Sequence, residues 1–168
     1  ISSIFGAINF LVTVKNMRTP GMGWFQMPLF VWAMFATSII ILLATPFLSG
    51  ALTLMLFDRL AGTNIFNPAT GGDPLLWPNV FWFYSHPAVY IMVVPGMGIL
   101  SEVLAVFARK PVFGYKAIAM SSMAIAILGF LVWGHHMFTN LAPWTRIPFM
   151  ITSMIIAVPT GIKIFGWL

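Results

Sequence analysis

The sequence predicts an all-α, polytopic membrane helix bundle of about five transmembrane helices, the first and last of them truncated. Two observations carry this prediction. Of the 168 residues, 60% are hydrophobic and 7% charged, and the mean hydropathy is +0.98, well outside soluble globular composition. The apolar residues also fall in runs of bilayer-spanning length, separated by short segments of Pro, Gly, Asn and charged residues.

The first run reaches Val14 and stops at the basic turn Lys15-Asn16-Met17-Arg18-Thr19-Pro20-Gly21. It rises only about 21 Å against a hydrocarbon core of roughly 30 Å, so it reads as the tail of a longer helix. A second run, from about Pro28 to Phe57, is long enough to span, and Thr45-Pro46 is expected to kink it. Its exit, Asp58-Arg59, opens a polar loop with Asn64, Asn67-Pro68 and Gly71-Gly72-Asp73-Pro74, the turn residues of an ordered surface loop. The third run extends from about Trp77 to Ala108 and ends before Arg109-Lys110-Pro111, and the fourth from about Lys116 to Phe138. A link from Asn140 to Arg146 leads to the fifth, which carries Pro159-Thr160-Gly161-Ile162-Lys163 and runs to Leu168. The chain starts in mid-run at Ile1 and ends in Gly166-Trp167-Leu168 without a polar tail. Residues 1–168 are therefore expected to be an internal part of a single, larger transmembrane domain.

Eight Lys and Arg against three Asp and Glu give a formal charge of +5, yet the basic residues are scattered and form no patch, which argues against a nucleic-acid partner. Because successive spans alternate direction, Lys15, Arg18, Arg109, Lys110 and Lys116 share one side. The positive-inside tendency assigns that side to the cytoplasm, or to the matrix of an organelle. With no cysteine, any metal must be held by histidine or oxygen ligands.

The chemistry-bearing stretch is Trp82-Phe83-Tyr84-Ser85-His86-Pro87-Ala88-Val89-Tyr90, in which His86 and Tyr90 sit at i and i+4 on one helix face. The other histidines are the adjacent pair His135-His136. Helix rise puts His86 about 13 Å below the outer end of the third run and His135 about 28 Å above the inner end of the fourth, so all three can meet at one level. A lone buried histidine is equally well read as bonded to a backbone carbonyl; three at matched depth favour a metal site. Adjacent histidines point about 100° apart on a regular helix, so sharing one metal requires local distortion, which Gly134 would ease. A three-nitrogen site without sulfur or carboxylate suits copper or zinc and leaves a position open for substrate. Tyr90 reads either as a proton or electron donor or as an interfacial anchor, and its depth disfavours the anchor. Lys163, near the inner surface with Thr160 one turn above it, reads either as a snorkelling lysine or as a proton-entry group. Trp82 and Trp133 flank the site, either as part of a cofactor pocket or as aromatic packing.

At these residues the chain resembles subunit I of the haem-copper terminal oxidases, the cytochrome c oxidase family. The resemblance runs through Gly6-Ala7-Ile8-Asn9-Phe10, Pro28-Leu29-Phe30-Val31-Trp32, Gly71-Gly72-Asp73-Pro74, His86-Pro87-x-Val89-Tyr90, Pro95-Gly96-x-Gly98, Trp133-Gly134-His135-His136-Met137-Phe138-Thr139 and Pro159-Thr160-Gly161-x-Lys163. It implies a piece from the end of the fourth transmembrane helix into the eighth, out of about twelve. It further implies that His86, His135 and His136 ligate copper (copper B), and that Tyr90 is cross-linked to the His86 ring and supplies a proton and an electron when the O–O bond breaks. By the same resemblance, Lys163, Thr160 and Ser101 line an inner proton pathway. Haem would take its axial ligands from segments outside this chain, because all three histidines are assigned to copper. The isolated piece is expected to be inactive. Many family members carry a glutamate where this sequence has Ala88; members lacking it have a Tyr-Ser pair before the histidine, matched here by Tyr84-Ser85.

The resemblance thus implies an enzyme that reduces O2 to water, couples this to proton translocation and takes electrons from cytochrome c. A quinol-oxidising relative and, from a different class, a His-lined metal or proton transporter are the alternatives. The implied partners are membrane lipid, the other oxidase subunits (types II and III) and the electron donor. The implied location is the bacterial cytoplasmic membrane ahead of the mitochondrial inner membrane.

Overall fold

The computed structural model describes residues 1–168. It contains no strand, and its six α-helices form five rods. Helix α1 covers Ser2–Asn16, α2 Leu29–Leu60, α3 Leu76–Ala108, α4 Tyr115–Leu128, α5 Pro143–Ile155 and α6 Ala157–Trp167. Four segments are long and apolar enough to cross a membrane: Leu29–Leu60, Leu76–Ala108, Tyr115–Met137 and Pro143–Trp167. The expected runs therefore appear with boundaries shifted by only a few residues. The largest shift is at α5, which starts at Pro143, inside the stretch expected to be a link; proline suits a first helical turn because its missing N–H is not needed there.

Helix α2 stays helical through Pro46, where the absent N–H leaves the carbonyl four residues earlier without its intrahelical donor. Two expected runs are interrupted. The fourth leaves α geometry after Leu128 and continues as two 3-10 turns, Gly129–Leu131 and Trp133–Met137. The fifth breaks at Ile156, between α5 and α6, four residues after Thr152, whose carbonyl accepts from Ile156 N. The break falls where Pro159 can neither bond nor comfortably pass the carbonyl of Ile155.

Small residues hold the bundle together. Ala33, Ala36, Ile40 and Ala44 of α2, spaced three or four apart, meet Val94 of α3 and Ile125 and Ala126 of α4. At Gly98 a Cβ would lie 2.6 Å from that of Ala33, so the α2–α3 approach requires glycine there. Large apolar side chains such as Met92, Phe107, Phe113 and Met154 face outward, as suits lipid or neighbouring protein rather than water.

All three acidic residues are engaged with backbone. Asp58 accepts from Ile65 N (2.6 Å), Phe66 N (2.9 Å) and Thr63 Oγ1 (2.6 Å), ordering the loop after α2. Asp73 accepts from Leu75 N at 2.8 Å. Glu102, on α3, reaches across to the start of α2 and accepts from Leu29 N (2.6 Å) and Phe30 N (3.4 Å), placing a carboxylate at a helix N-terminus where its charge is favoured. None is left to serve as a metal ligand near the histidines.

Candidate metal centre

Trp82, His86 and Tyr90 follow one another at i+4 along α3 and so share a face. The 3-10 turn Trp133–Met137 brings His135 and His136 against that face. His86 Nδ1 lies 3.0 Å from His136 Nε2, and His135 Nε2 lies 3.1 Å from the same atom. One nitrogen from each ring falls within 4.8 Å of the other two. A metal about 2.0–2.1 Å from each nitrogen would set them roughly 3.0–3.5 Å apart, so the cluster needs little rearrangement to close around one ion.

The distortion expected beside the histidine pair is present, but its origin differs from the expectation. The backbone leaves helical geometry at Val132 (φ −121°, ψ 2°), before the histidines. Gly134 serves another purpose, since a Cβ there would lie 2.3 Å from Cδ2 of Phe149. Glycine is required for the close approach of α5, not for backbone freedom.

The neighbours fix the rings. Ser153 Oγ donates to Phe149 O at 2.6 Å, which uses its only hydrogen; at 2.9 Å from His135 Nδ1 it must therefore accept. His135 then carries its proton on Nδ1 and turns the Nε2 lone pair into the cluster, the arrangement that a second partner commonly gives a metal-bound histidine. Trp82 stacks on His136 with ring centroids 3.8 Å apart and 4° between planes. Trp133 instead packs against Phe83 and Phe149 and points Nε1 at Asn79 Oδ1, 3.4 Å away, bracing α3 against α5. Replacing Ser153 with alanine is expected to lower metal affinity about 10- to 100-fold. A chelator titration of the complete protein would measure this, with Ser153→Thr retaining affinity.

His86 is buried, His135 half-buried and His136 exposed on the open side of the site. With Nδ1 turned inward, His86 Nε2 is buried without a hydrogen-bond partner, an uncommon condition for a polar atom. The Tyr90 ring is its aromatic neighbour on the next turn, with centroids 4.9 Å apart. Gly129 makes room for that phenol: a Cβ would lie 3.1 Å from Tyr90 Cδ2.

Toward the basic end of the bundle, Lys163 is 1% exposed, so it does not snorkel to a surface within this chain. Its Nζ donates to Ser122 Oγ (2.7 Å) and Ile118 O (3.1 Å) of α4. Thr160 donates to Ile156 O at 3.1 Å. Ser101 is fully buried but bonded elsewhere, donating to Met97 O (2.8 Å) and accepting from Trp167 Nε1 (2.9 Å). Tyr84 packs its ring against the α2–α4 core cluster, and Ser85 beside it is half-buried. Sequence reasoning missed Ser122, Glu102, Ser153 and Phe149. Of these, Glu102 carried the clearest signal, as an acidic residue inside an apolar run, and Ser122 a weaker one, as half of the polar pair Ser121-Ser122.

Fold and site together define a class, a polytopic helical membrane protein with a three-imidazole candidate metal centre between its helices. The chain belongs to the family described as "Cytochrome C and Quinol oxidase polypeptide I", whose model matches residues 1–168. Among its relatives, "Cytochrome c oxidase subunit 1" of Synechocystis sp. is 61% identical over 167 residues, covering 99% of this chain and 30% of the relative. The proteins of the same description from Bacillus sp. and Cereibacter sphaeroides are 53% and 52% identical, each alignment covering 99% of this chain and respectively 27% and 30% of the relative. The chain thus spans less than a third of the length of these relatives. Membership and the four apolar spans make it an integral membrane protein.

Proposed function

We propose that this chain is the copper-holding part of the catalytic subunit of a haem-copper oxygen reductase, which reduces O2 to water and couples the reaction to proton translocation. The observation that carries the reading is the convergence of His86 Nδ1, His135 Nε2 and His136 Nε2, with no sulfur or carboxylate among them. An all-imidazole donor set fits copper, and the family match favours copper over zinc. Bound there, copper supplies a redox centre beside the haem, whose iron ligands would come from outside this chain; the exposed face of His136 leaves the site open on one side.

The chain's own residues would hold the metal, exclude solvent and move protons. Ser153 fixes the His135 tautomer, and Trp82 fixes the plane of His136. Tyr90 would give up a proton and an electron to the reaction. The partnerless Nε2 of His86 supports its cross-link to Tyr90. Forming that C–N bond releases two protons, one from the imidazole N–H and one from a phenol C–H, together with two electrons, and O2 as the oxidant takes up both electrons and protons. Lys163 and Thr160 would carry protons from the basic end, taken as the inner side, toward Tyr90, with Ser101 at the same end of α3. Helix rise makes Thr160 about 4–5 Å nearer than Lys163 to the level of the site.

Tyr84, one turn before Ala88, would take part with Ser85 in a second relay, at the place where the family resemblance leads one to expect a glutamate. Changing Tyr84 to Phe together with Ser85 to Ala is then expected to lower the protons translocated per electron while O2 reduction continues. Unchanged translocation in vesicles would remove both residues from the relay.

Cytochrome c is the proposed donor, as the relatives' name indicates, and a quinol the second reading, since the family description includes both. The proposed partners are the remaining oxidase subunits and lipid, and the location a bacterial cytoplasmic membrane, since the named relatives are bacterial. Reconstituting the complete protein in vesicles and measuring copper content with O2 uptake tests the function. Stoichiometric copper with O2 consumption is expected, whereas ion flux without O2 consumption would point to a transporter.

A further inference from the structure

Lys163 crosses from α6 to α4 to find its partners. The crossing is short because Gly166, three residues on, lets the helices close; a Cβ there would lie 2.8 Å from Ile118 Cδ1. The two adjacent serines of α4 behave differently. Ser121 donates to its own helix, to Ile118 O at 2.7 Å. Ser122 has only a long contact, 3.5 Å, to the same carbonyl, while its oxygen lies 2.7 Å from Lys163 Nζ. The three acidic side chains are engaged with backbone N–H groups elsewhere, so Ser122 is the side-chain partner of this buried amine.

We propose that Ser122 is a positioning residue for proton delivery. Its oxygen accepts an N–H of the Lys163 side chain and holds Nζ at the basic end, where the neutral amine takes up a proton and becomes the ammonium. The inference rests on the reading of Lys163 as a proton carrier. The step involves no electron transfer: a proton adds to the Nζ lone pair at the basic end and is released toward Thr160. In a setting without bulk water a hydrogen bond to a charged donor is among the stronger ones, and Ile118 O alone does not replace it.

The test uses the complete enzyme with Ser122→Ala, Ser122→Cys, Ser122→Thr and Lys163→Met. Ser122→Ala and Ser122→Cys are expected to slow turnover about tenfold, as losing one charge-assisted hydrogen bond implies. Both should also raise the solvent deuterium isotope effect on turnover, leave copper content unchanged, and be matched by near-normal turnover in Ser122→Thr, which keeps the hydroxyl. Cysteine preserves volume with a weak acceptor, so it decides the matter if the alanine variant assembles poorly. If Ser122→Cys turns over normally while Lys163→Met does not, the role of Ser122 is overturned. Equal loss in the Thr and Cys variants would overturn it too, by assigning the effect to packing. Normal turnover in Lys163→Met would instead remove the reading on which the inference rests.

Discussion

Replacing His135 with alanine in the complete protein will remove the copper held by the His86–His135–His136 site and abolish O2 reduction, while membrane insertion persists. The loss follows from the site's construction. His135 Nε2 and His86 Nδ1 lie 3.1 Å and 3.0 Å from the single atom His136 Nε2, so removing one ring leaves two nitrogens and no substitute ligand. No cysteine exists to take its place, and the acidic side chains are committed to backbone N–H groups elsewhere. Insertion persists because His135 sits in the short turn Trp133–Met137 while the apolar length of the spans is untouched. Metal analysis of the purified variant beside an oxygen-electrode trace checks both parts. Copper retained at the wild-type ratio would remove His135 from the ligand set.

Lys163→Met is expected to lower turnover by about 100-fold or more, the range for loss of a positioned proton-transfer group. Methionine approximates the length of the lysine stem and fills the same buried space, so packing between α4 and α6 should survive. Copper content should be unchanged, because helix rise separates Lys163 from Ser153, the partner of His135, by about 15 Å. Stopped-flow turnover with metal analysis separates this outcome from a misassembled site, in which copper and turnover would fall together.

The two effects concern parts of the chain that were unequally legible in the sequence. The rods were readable because each needs a long apolar run and the first three runs end at a charged residue; Leu76–Ala108 was anticipated to within a residue. His86 and Tyr90 were readable because i+4 spacing on a helix fixes a shared face whatever surrounds it. The convergence of His135 and His136 was readable only as a requirement for distortion. Its location at Val132 depends on how the fourth rod meets α3 and α5, which no local pattern records. Gly134 was assigned to backbone freedom because nothing in the sequence says that Phe149 lies against it. Ser153 and Glu102 were missed for the same reason. Each sits in a polar pair, Thr152-Ser153 and Ser101-Glu102, and its meaning comes from a partner distant in sequence: His135 in one case, the start of α2 in the other. The partners of Lys163 required knowing that α6 packs on α4, a fact of tertiary arrangement.

The central claim is that His86, His135 and His136 hold one copper ion through imidazole nitrogen alone. X-ray absorption at the copper edge, on complete protein in which any other copper site has been removed by mutation, tests it most directly. The expected spectrum has three imidazole nitrogens at about 2.0 Å, with no sulfur scatterer. Fewer than three imidazoles, a sulfur ligand, or no copper in an enzyme that still reduces O2 would contradict it.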